Sequence, residues 1–548
     1  MAGGARLKGK LMANLFLGLD CSTQSLSAIV IDHDARQIVY NRSLNFDQSL
    51  PHYGTINGTL RSPDPLVVHS PPLMWIEALD MLFAQMKDDG VPLGEVRAIS
   101  GSGQQHGSVY LNKRASNALA RLRPNRPLAE NLQGVFSRDT APIWMDSSTG
   151  IECAEIRSAL GGLTATARKT GSDAFERFTG PQIRKFYKTE PDHYANTASI
   201  ALVSSFLASV IAGRIAPIDH GDGAGMNLMD IHRKVWHPQA LKATAPQLRK
   251  KLPPLAPSSK VIGNVSACLS RQYGFNRGVK ALVWSGDNPC SMIGLGLIRE
   301  GAMAISLGTS DTLFGYMRRC RVDELGEGHV FGAPTGDYMA LGCFKNGSLA
   351  RERIRDLYHL DWNGFNQALA DTPPGNHGAI LLPWFEPEIV PRVSRPGIHR
   401  FLVNVKDART KPEILRDPDP RRDCRAVVEA QMMSMRLHSR WMKLRPKQIH
   451  ATGGASANTA ILQIMADVFR CPVARTEVAK SAALGAALRA VHGWLAHSGR
   501  KPRWQDVVAG FTDPIPGSQI RPNANSAKVY DKLVESYAAC ERDAIGRL

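Results

Sequence analysis

Two stretches far apart in this chain have the same form. Residues 15–19 are a β-rich apolar run, followed by a polar loop at 20–25 and a second apolar run at 26–31. Residues 302–307 repeat the pattern, with a polar loop at 308–311 and another apolar run at 312–316. Each reads as a β-hairpin whose tip carries acidic and hydroxyl side chains, Asp20 and Thr23 in one and Thr309 and Asp311 in the other. The two lie about 290 residues apart, and such an internal echo predicts a duplicated fold. The chain has 548 residues, too many for one core, and a prior of roughly 150 residues per domain asks for two large units or more.

Between and after the hairpins, apolar spacing predicts a third strand at 37–40, a helix over 72–86, and strands at 96–100 and 108–111. Residues 51–72 form a long loop rich in proline and polar side chains. Residues 143–146 read as a short strand, and 150–160, 165–169 and 191–212 as helices, the last a buried core helix. A strand at 448–451 leads through a glycine pair into an amphipathic helix at 459–469. A strand at 473–477 follows, then a helix at 479–491 whose small residues predict very close packing.

The run Trp284-Ser-Gly-Asp287-Asn288-Pro289 lies between an apolar strand at 279–283 and a small-residue helix at 292–297. A carboxylate and a carboxamide therefore stand where a strand ends and a helix begins, a place suited to anions and to accepting a proton from a hydroxyl. Taken alone, Asp287 is more simply a helix cap. Two further loops raise its weight. Glycines 101, 103 and 107 surround Gln104, Gln105 and His106, and Thr452-Gly-Gly454-Ala-Ser-Ala-Asn458 opens a helix. Bare backbone of this kind lets a ligand approach closely.

Composition excludes several classes. With 43% hydrophobic and 21% charged residues the chain is ordinary globular protein. The net charge of +18 fits an anionic partner, but the basic residues are scattered and no nucleic-acid signature appears, so no nucleic-acid role is expected. The nine cysteines are dispersed without a C-x-x-C pair, which suits a reducing cytoplasm. Residues 197–213 are too short and too rich in serine for a membrane span, and no membrane association is expected. Residues 1–13 read as a flexible leader. Within it, 4–11 has P-loop spacing but carries Leu11 where a metal-binding hydroxyl belongs. Residues 454–458 miss the nucleophile elbow of hydrolases by one residue, and no acid follows in a suitable place before His492 and His497.

The ordered set of motifs resembles the FGGY carbohydrate kinases over nearly the whole chain, from about residue 15 to about residue 492. These motifs are Gly18-Leu-Asp20-Cys-Ser-Thr-Gln-Ser25, Gly103-Gln-Gln-His-Gly107, Gly286-Asp-Asn288, Ser306-Leu-Gly-Thr309 and Ala451-Thr-Gly-Gly-Ala-Ser456 with Asn458. The likeness is greatest to the longer, eukaryotic-type members that act on D-xylulose. It implies an α/β fold of two actin-like ATPase domains, ribonuclease H-like, closing over a cleft. The sugar-side domain is expected at 14–289 and the ATP-side domain at 290–548. The resemblance further implies ATP-dependent phosphorylation of D-xylulose with Mg²⁺, by a monomer or homodimer, with Asp287 as general base ionised at neutral pH. Gln105, His106, Arg177, Asp287 and Asn288 would hold the sugar; Thr23, Gly308, Thr309, Trp362, Gly454 and Asn458 would hold ATP; Asp20 would serve the metal. Kinases for ribulose, L-xylulose or glycerol-like polyols, or a non-catalytic sensor on the same fold, are the alternatives. The chain departs from many bacterial members at 178–185 and 144–149, both on the sugar side.

Overall fold

The structure is a computed structural model that describes residues 14–405, 407, 410–417, 419–476 and 480–547. The leader expected at 1–13, with its P-loop-like spacing, and residues 477 and 479 lie outside the described residues.

The first sheet contains β1 (Leu15–Cys21), β2 (Ser25–Asp32), β3 (Gln37–Asn45), β4 (Val96–Gly103), β5 (Val261–Asn264) and β6 (Lys280–Leu282), in the order β5-β6-β4-β1-β2-β3. β1, β4 and β6 run parallel, whereas β2, β3 and β5 run antiparallel to their neighbours. The second sheet contains β7 (Ala302–Leu307), β8 (Asp311–Met317), β9 (His329–Gly332), β10 (Tyr338–Phe344), β11 (Gln448–Thr452) and β12 (Val473–Arg475), in the order β9-β10-β8-β7-β11-β12. Here β7, β11 and β12 are parallel and β8 to β10 antiparallel. The run β3-β2-β1-β4-β6 and the run β10-β8-β7-β11-β12 thus share one order and one pattern of directions. The echo between the two hairpins is a duplication of the whole sheet.

Period-two alternation along β1 sorts its side chains to two faces. Leu15, Leu17 and Leu19 join the core under helix α1 (Pro72–Asp88), where Trp75, Leu79, Leu82 and Phe83 are buried. Phe16 joins Ile29, Ile31, Ala98 and Leu282 on the opposite face. That face is covered by helix α2 (Asp287–Gly294) and by helix α3 (Ser481–His497), which returns from the far end of the chain. The fit is backbone to backbone, as the small residues predict. A Cβ on Gly18 would sink into the backbone of Ala483 and Ala487, and one on Gly485 into the carbonyl of Cys290. Buried Arg489 of α3 donates to the carbonyls of Gly101 (3.1 Å) and Val283 (2.9 Å) and to Cys290 Sγ (3.2 Å), tying β4, the end of β6 and α2 together. Residues 481–508 therefore pack as part of the first sheet's core, although they follow the second sheet in sequence.

Several elements differ from their expected form. Residues 143–146 form a turn closed by the Asp146 amide donating to the Ile143 carbonyl (2.9 Å); the strand there is Ala141–Pro142. The helix expected over 191–212 is broken: Pro191–Asn196 is helical, Thr197–Leu202 is a strand paired with Ser108–Asn112, and only Val203–Ala212 is the buried helix. The helix expected to start at 292 starts at Asp287, with Gly286 as its cap, so Asp287 is not the cap.

Candidate functional site

β1, β4 and the short strand Ser285–Gly286 end side by side. Asp20 pairs in register with Ser102, Ser285 also pairs with Ser102, and Gly286 with Gly103. The carboxyl ends of parallel strands therefore bring Asp20, residues 104–106 and Asp287 to one rim, where α/β sheets commonly bind ligands.

Asp287 Oδ1 accepts from the Asn288 amide (2.8 Å), from Asn288 Nδ2 (3.1 Å) and from the Gln105 amide (3.4 Å). Burial nevertheless pushes its carboxyl up to about 6, above the ordinary carboxylate value expected from sequence. Asn288 Nδ2 also donates to Gln105 Oε1 (3.0 Å). A Cβ on Gly286 would collide with the Gln105 side chain, which is why a bare residue precedes Asp287. Gln104 Nε2, Gln105 Nε2 and His106 Nδ1 are buried without a hydrogen-bond partner. His106 packs on Phe178 (ring centroids 4.2 Å), and burial holds its imidazole well below the usual value, so it is neutral. Arg177 donates to His329 Nε2 (2.8 Å) and lies over Phe175 (4.9 Å); among the described residues no carboxylate pairs with it. His329 belongs to β9, so the contact joins the two halves across the sugar-side rim. Nothing in the sequence around His329 marked it for this role.

Asp20 Oδ1 accepts from Ser102 Oγ (2.7 Å), and burial, with Asp287 nearby, pushes its carboxyl up to about 7. Thr23, at the same hairpin tip, donates to Gln104 Oε1 (3.2 Å) and accepts from Trp144 Nε1 (2.8 Å). That indole belongs to the turn at 143–146. Among the described residues there is no cluster of three or more His, Cys, Asp or Glu able to hold a metal ion.

The other predicted residues gather on the second sheet. The Gly308 carbonyl accepts from the Ser348 amide (2.8 Å), seating the tip Gly308–Thr309 on the helix Ser348–Leu357. Beside it is a cavity of ≈ 670 Å³ lined by Ser348, Glu352, Trp362, Asn366, Gly454 and Asn458, within the usual size of small-molecule sites. Arg355 covers the Trp362 ring (4.5 Å), and Asn458 Nδ2 donates to Asn366 Oδ1 (2.6 Å). Asn458 caps helix Thr459–Phe469 through the amides of Ala460 and Ile461. Nothing stands within 4 Å of a Cβ placed on Gly454, so that residue leaves the cavity open.

Known proteins resemble this chain in sequence and in fold. The profile of the FGGY family of carbohydrate kinases, N-terminal domain, matches residues 139–294, and that of the C-terminal domain matches residues 303–494. The chain belongs to the FGGY family of carbohydrate kinases. Within it, the sequence stands with the xylulose kinases. It is 42% identical to xylulose kinase of Rattus norvegicus, with 97% of each chain covered, and 43% identical to xylulose kinase 2 of Arabidopsis thaliana, with 88% of each covered. The crystal structure of xylulose kinase from Rhodospirillum rubrum superposes with a TM-score of 0.79 at 20% identity, covering 97% of this chain and 99% of that one, which speaks to the fold.

All nine cysteines are free, and among the described residues no helix is long and apolar enough to cross a membrane.

Proposed function

We propose that this protein transfers the γ-phosphoryl group of ATP to the terminal hydroxyl of D-xylulose, in the cytoplasm, as part of xylose metabolism. The observation that carries the reading is the set of unpartnered buried polar atoms on Gln104, Gln105 and His106 around Asp287. A polyhydroxy ketose supplies hydroxyls for such atoms, and a site built that way rejects sugars whose hydroxyls point elsewhere. The names of the relatives agree. The shared strand order of the two sheets supports the ribonuclease H-like, actin-like assignment, with the passage from one unit to the other after helix α2 rather than at residues 289 and 290, and with residues 481–508 returning to the first unit.

Asp287 is the general base. With its carboxyl at about 6 it is roughly 90% ionised at pH 7, and more basic than an exposed aspartate. It orients the hydroxyl and takes its proton as the new oxygen–phosphorus bond forms and the bond from phosphorus to the leaving ADP oxygen breaks. His106, being neutral, both accepts and donates to sugar hydroxyls. Asn288 and Gln105 hold the sugar beside Asp287, and Arg177 supplies positive charge at the wall. Thr23 at one hairpin tip and Gly308 and Thr309 at the other face the phosphates, while Trp362, Gly454 and Asn458 flank the adenosine. The oxygen donors at Asp20 and Thr23 suit a hard cation, and Asp20 would hold Mg²⁺ through water. Bound there, Mg²⁺ would neutralise phosphate charge.

The test is ADP release with ATP and Mg²⁺ across D-xylulose, L-xylulose, D-ribulose, L-ribulose, glycerol and gluconate, with Asp287→Asn alongside. D-Xylulose is expected to be preferred, and the variant to lose about 10²–10⁴-fold in kcat. Preference for another sugar overturns the substrate assignment; full activity of the variant overturns the base.

A further inference from the structure

This inference deepens the reading of Gln105 and Asp287 as sugar-side residues and rests on it. Behind them lies a residue that no motif singled out. Asp222 sits in the short glycine-rich helix His220–Ala224, 2% exposed. Its Oδ2 is hydrogen-bonded to Ser204 Oγ, from helix Val203–Ala212, and its Oδ1 has no partner. The side chain that faces it is Gln105, whose own Nε2 is also unpartnered. Gln105 Oε1 is already committed to Asn288, and Asn288 to Asp287. Two orphan atoms of complementary kind, a carboxyl oxygen and an amide N–H, thus lie on side chains that interact at the head of a chain that ends on the base. A buried acceptor and donor left in this state belong to a network that closes when the pocket is filled.

We propose that Asp222 is a positioning residue for the transfer: as an uncharged carboxylic acid its Oδ1 accepts from Gln105 Nε2, fixes the Gln105 amide, and through Asn288 aims the Asp287 carboxylate at the sugar hydroxyl.

The surroundings of Asp222 favour the acid form. Its own segment contributes Asp219, helix α2 contributes Asp287, the loop after β4 contributes Gln105, and Val203–Ala212 contributes only the Ser204 hydroxyl. His106, reached through Gly225, is neutral. The cations nearby are engaged elsewhere: Arg177 with His329, and Lys234 with the carbonyls of Gly336 and Asp337. Burial, reinforced by Asp219 and Asp287, pushes the Asp222 carboxyl up to about 8, while Ser204 and Gln105 pull the other way. The Ser204 hydroxyl already donates to Oδ2, which leaves Oδ1 as the acceptor for Gln105. Ionisation would place a second negative charge behind Asp287 and beside an anionic transferring group.

The test compares Asp222→Asn and Asp222→Leu with the unaltered protein on the sugar that it phosphorylates, from pH 5.5 to 9.5. The amide keeps an acceptor for Gln105 and cannot ionise. The unaltered enzyme is expected to lose kcat/KM as pH rises through about 8, and Asp222→Asn should retain kcat within about threefold at pH 7 without that fall. Asp222→Leu should lower kcat at least about tenfold with KM for ATP unchanged. A fall near pH 8 that persists in Asp222→Asn overturns the proposal, as does a loss at pH 7 equal in both variants or an active Asp222→Leu. A second readout needs no turnover. Because the folded pKa is raised above the unfolded one, the stabilisation from protonated Asp222 is fully present below about pH 4 and lost as pH rises through about 8. The melting midpoint of Asp222→Asn should therefore gain on that of the unaltered protein over that range. A difference flat in pH overturns the uncharged carboxyl, whatever the sugar panel shows; a silent sugar panel strikes the kinase reading instead.

Discussion

Arg351 and Asp311 form a buried ion pair, each 1% exposed, directly behind the Gly308–Thr309 tip. Arg351 Nη1 reaches Asp311 Oδ2 (3.1 Å) and Gln431 Oε1 (2.5 Å), and its Nη2 reaches Asp311 Oδ1 (3.3 Å) and Ser348 Oγ (2.8 Å). Arg351→Met fills much of the space but leaves Asp311 buried without its cation. Breaking such a pair costs about 3–5 kcal/mol. In a unit of some 250 residues, about 2–4 °C of melting midpoint is lost per kcal/mol, so the second sheet's transition should drop by roughly 6–20 °C. Asp311, already held above its usual value by burial, will relieve part of this by protonating, which favours the lower half of that range. The double change Asp311→Leu with Arg351→Met removes both charges and should recover most of the loss, since a buried pair and a packed apolar pair are often close in stability. Calorimetry on the single and double variants gives the coupling directly. KM for ATP should rise in the single variant more than KM for the sugar, because the displaced tip is the one proposed to face the phosphates. A single variant within about 1 kcal/mol of the unaltered protein would refute the buried pairing, and so would a double variant no better than the single one.

Two further outcomes follow from the packing. Gly485→Val forces a side chain into the Cys290 carbonyl and the Gly294 amide, and should cost about 1–3 kcal/mol or more while lowering kcat, because the displaced helix begins with Asp287; urea unfolding and steady-state kinetics check both. His438 lies between Glu327 (3.5 Å) and Glu541 (3.0 Å), whose carboxylates, overcoming burial, raise its imidazole to about 9. Its contribution, about 3 kcal/mol, is complete below about pH 6.5 and lost as pH rises through 9, so His438→Gln should flatten the pH dependence of the melting midpoint over that window.

The parts legible in the sequence are those whose physics is local. The hairpins at 15–31 and 302–316 announce themselves because short apolar runs, buried on both faces, are bounded by polar tips, and the capped helix at 459–469 begins and ends where its apolar spacing does. Thr197–Leu202 was read as helix because its partner strand, Ser108–Asn112, lies some 90 residues earlier and leaves no mark on the local pattern. The same holds at the site. Asp287 and His106 stand in motifs, whereas Asp222, His329 and Asn366 acquire their places only when distant segments meet. The raised carboxyl of Asp287 likewise follows from burial, which residue identity does not encode.

The returning helix α3 has a consequence for how the chain is made. Leu282, Phe16 and Ile31 lie on a face whose cover is incomplete until residues 481–497 join helix α2 there. At ~5–20 residues per second, a ribosome that has finished the first sheet takes roughly 10–40 s more to emit the segment that closes it. During that interval the nascent chain carries a partly open apolar face, so the first half does not fold as a finished unit on emergence, and a helix at 481–497 decides whether the sheet built from residues 15–282 is stable.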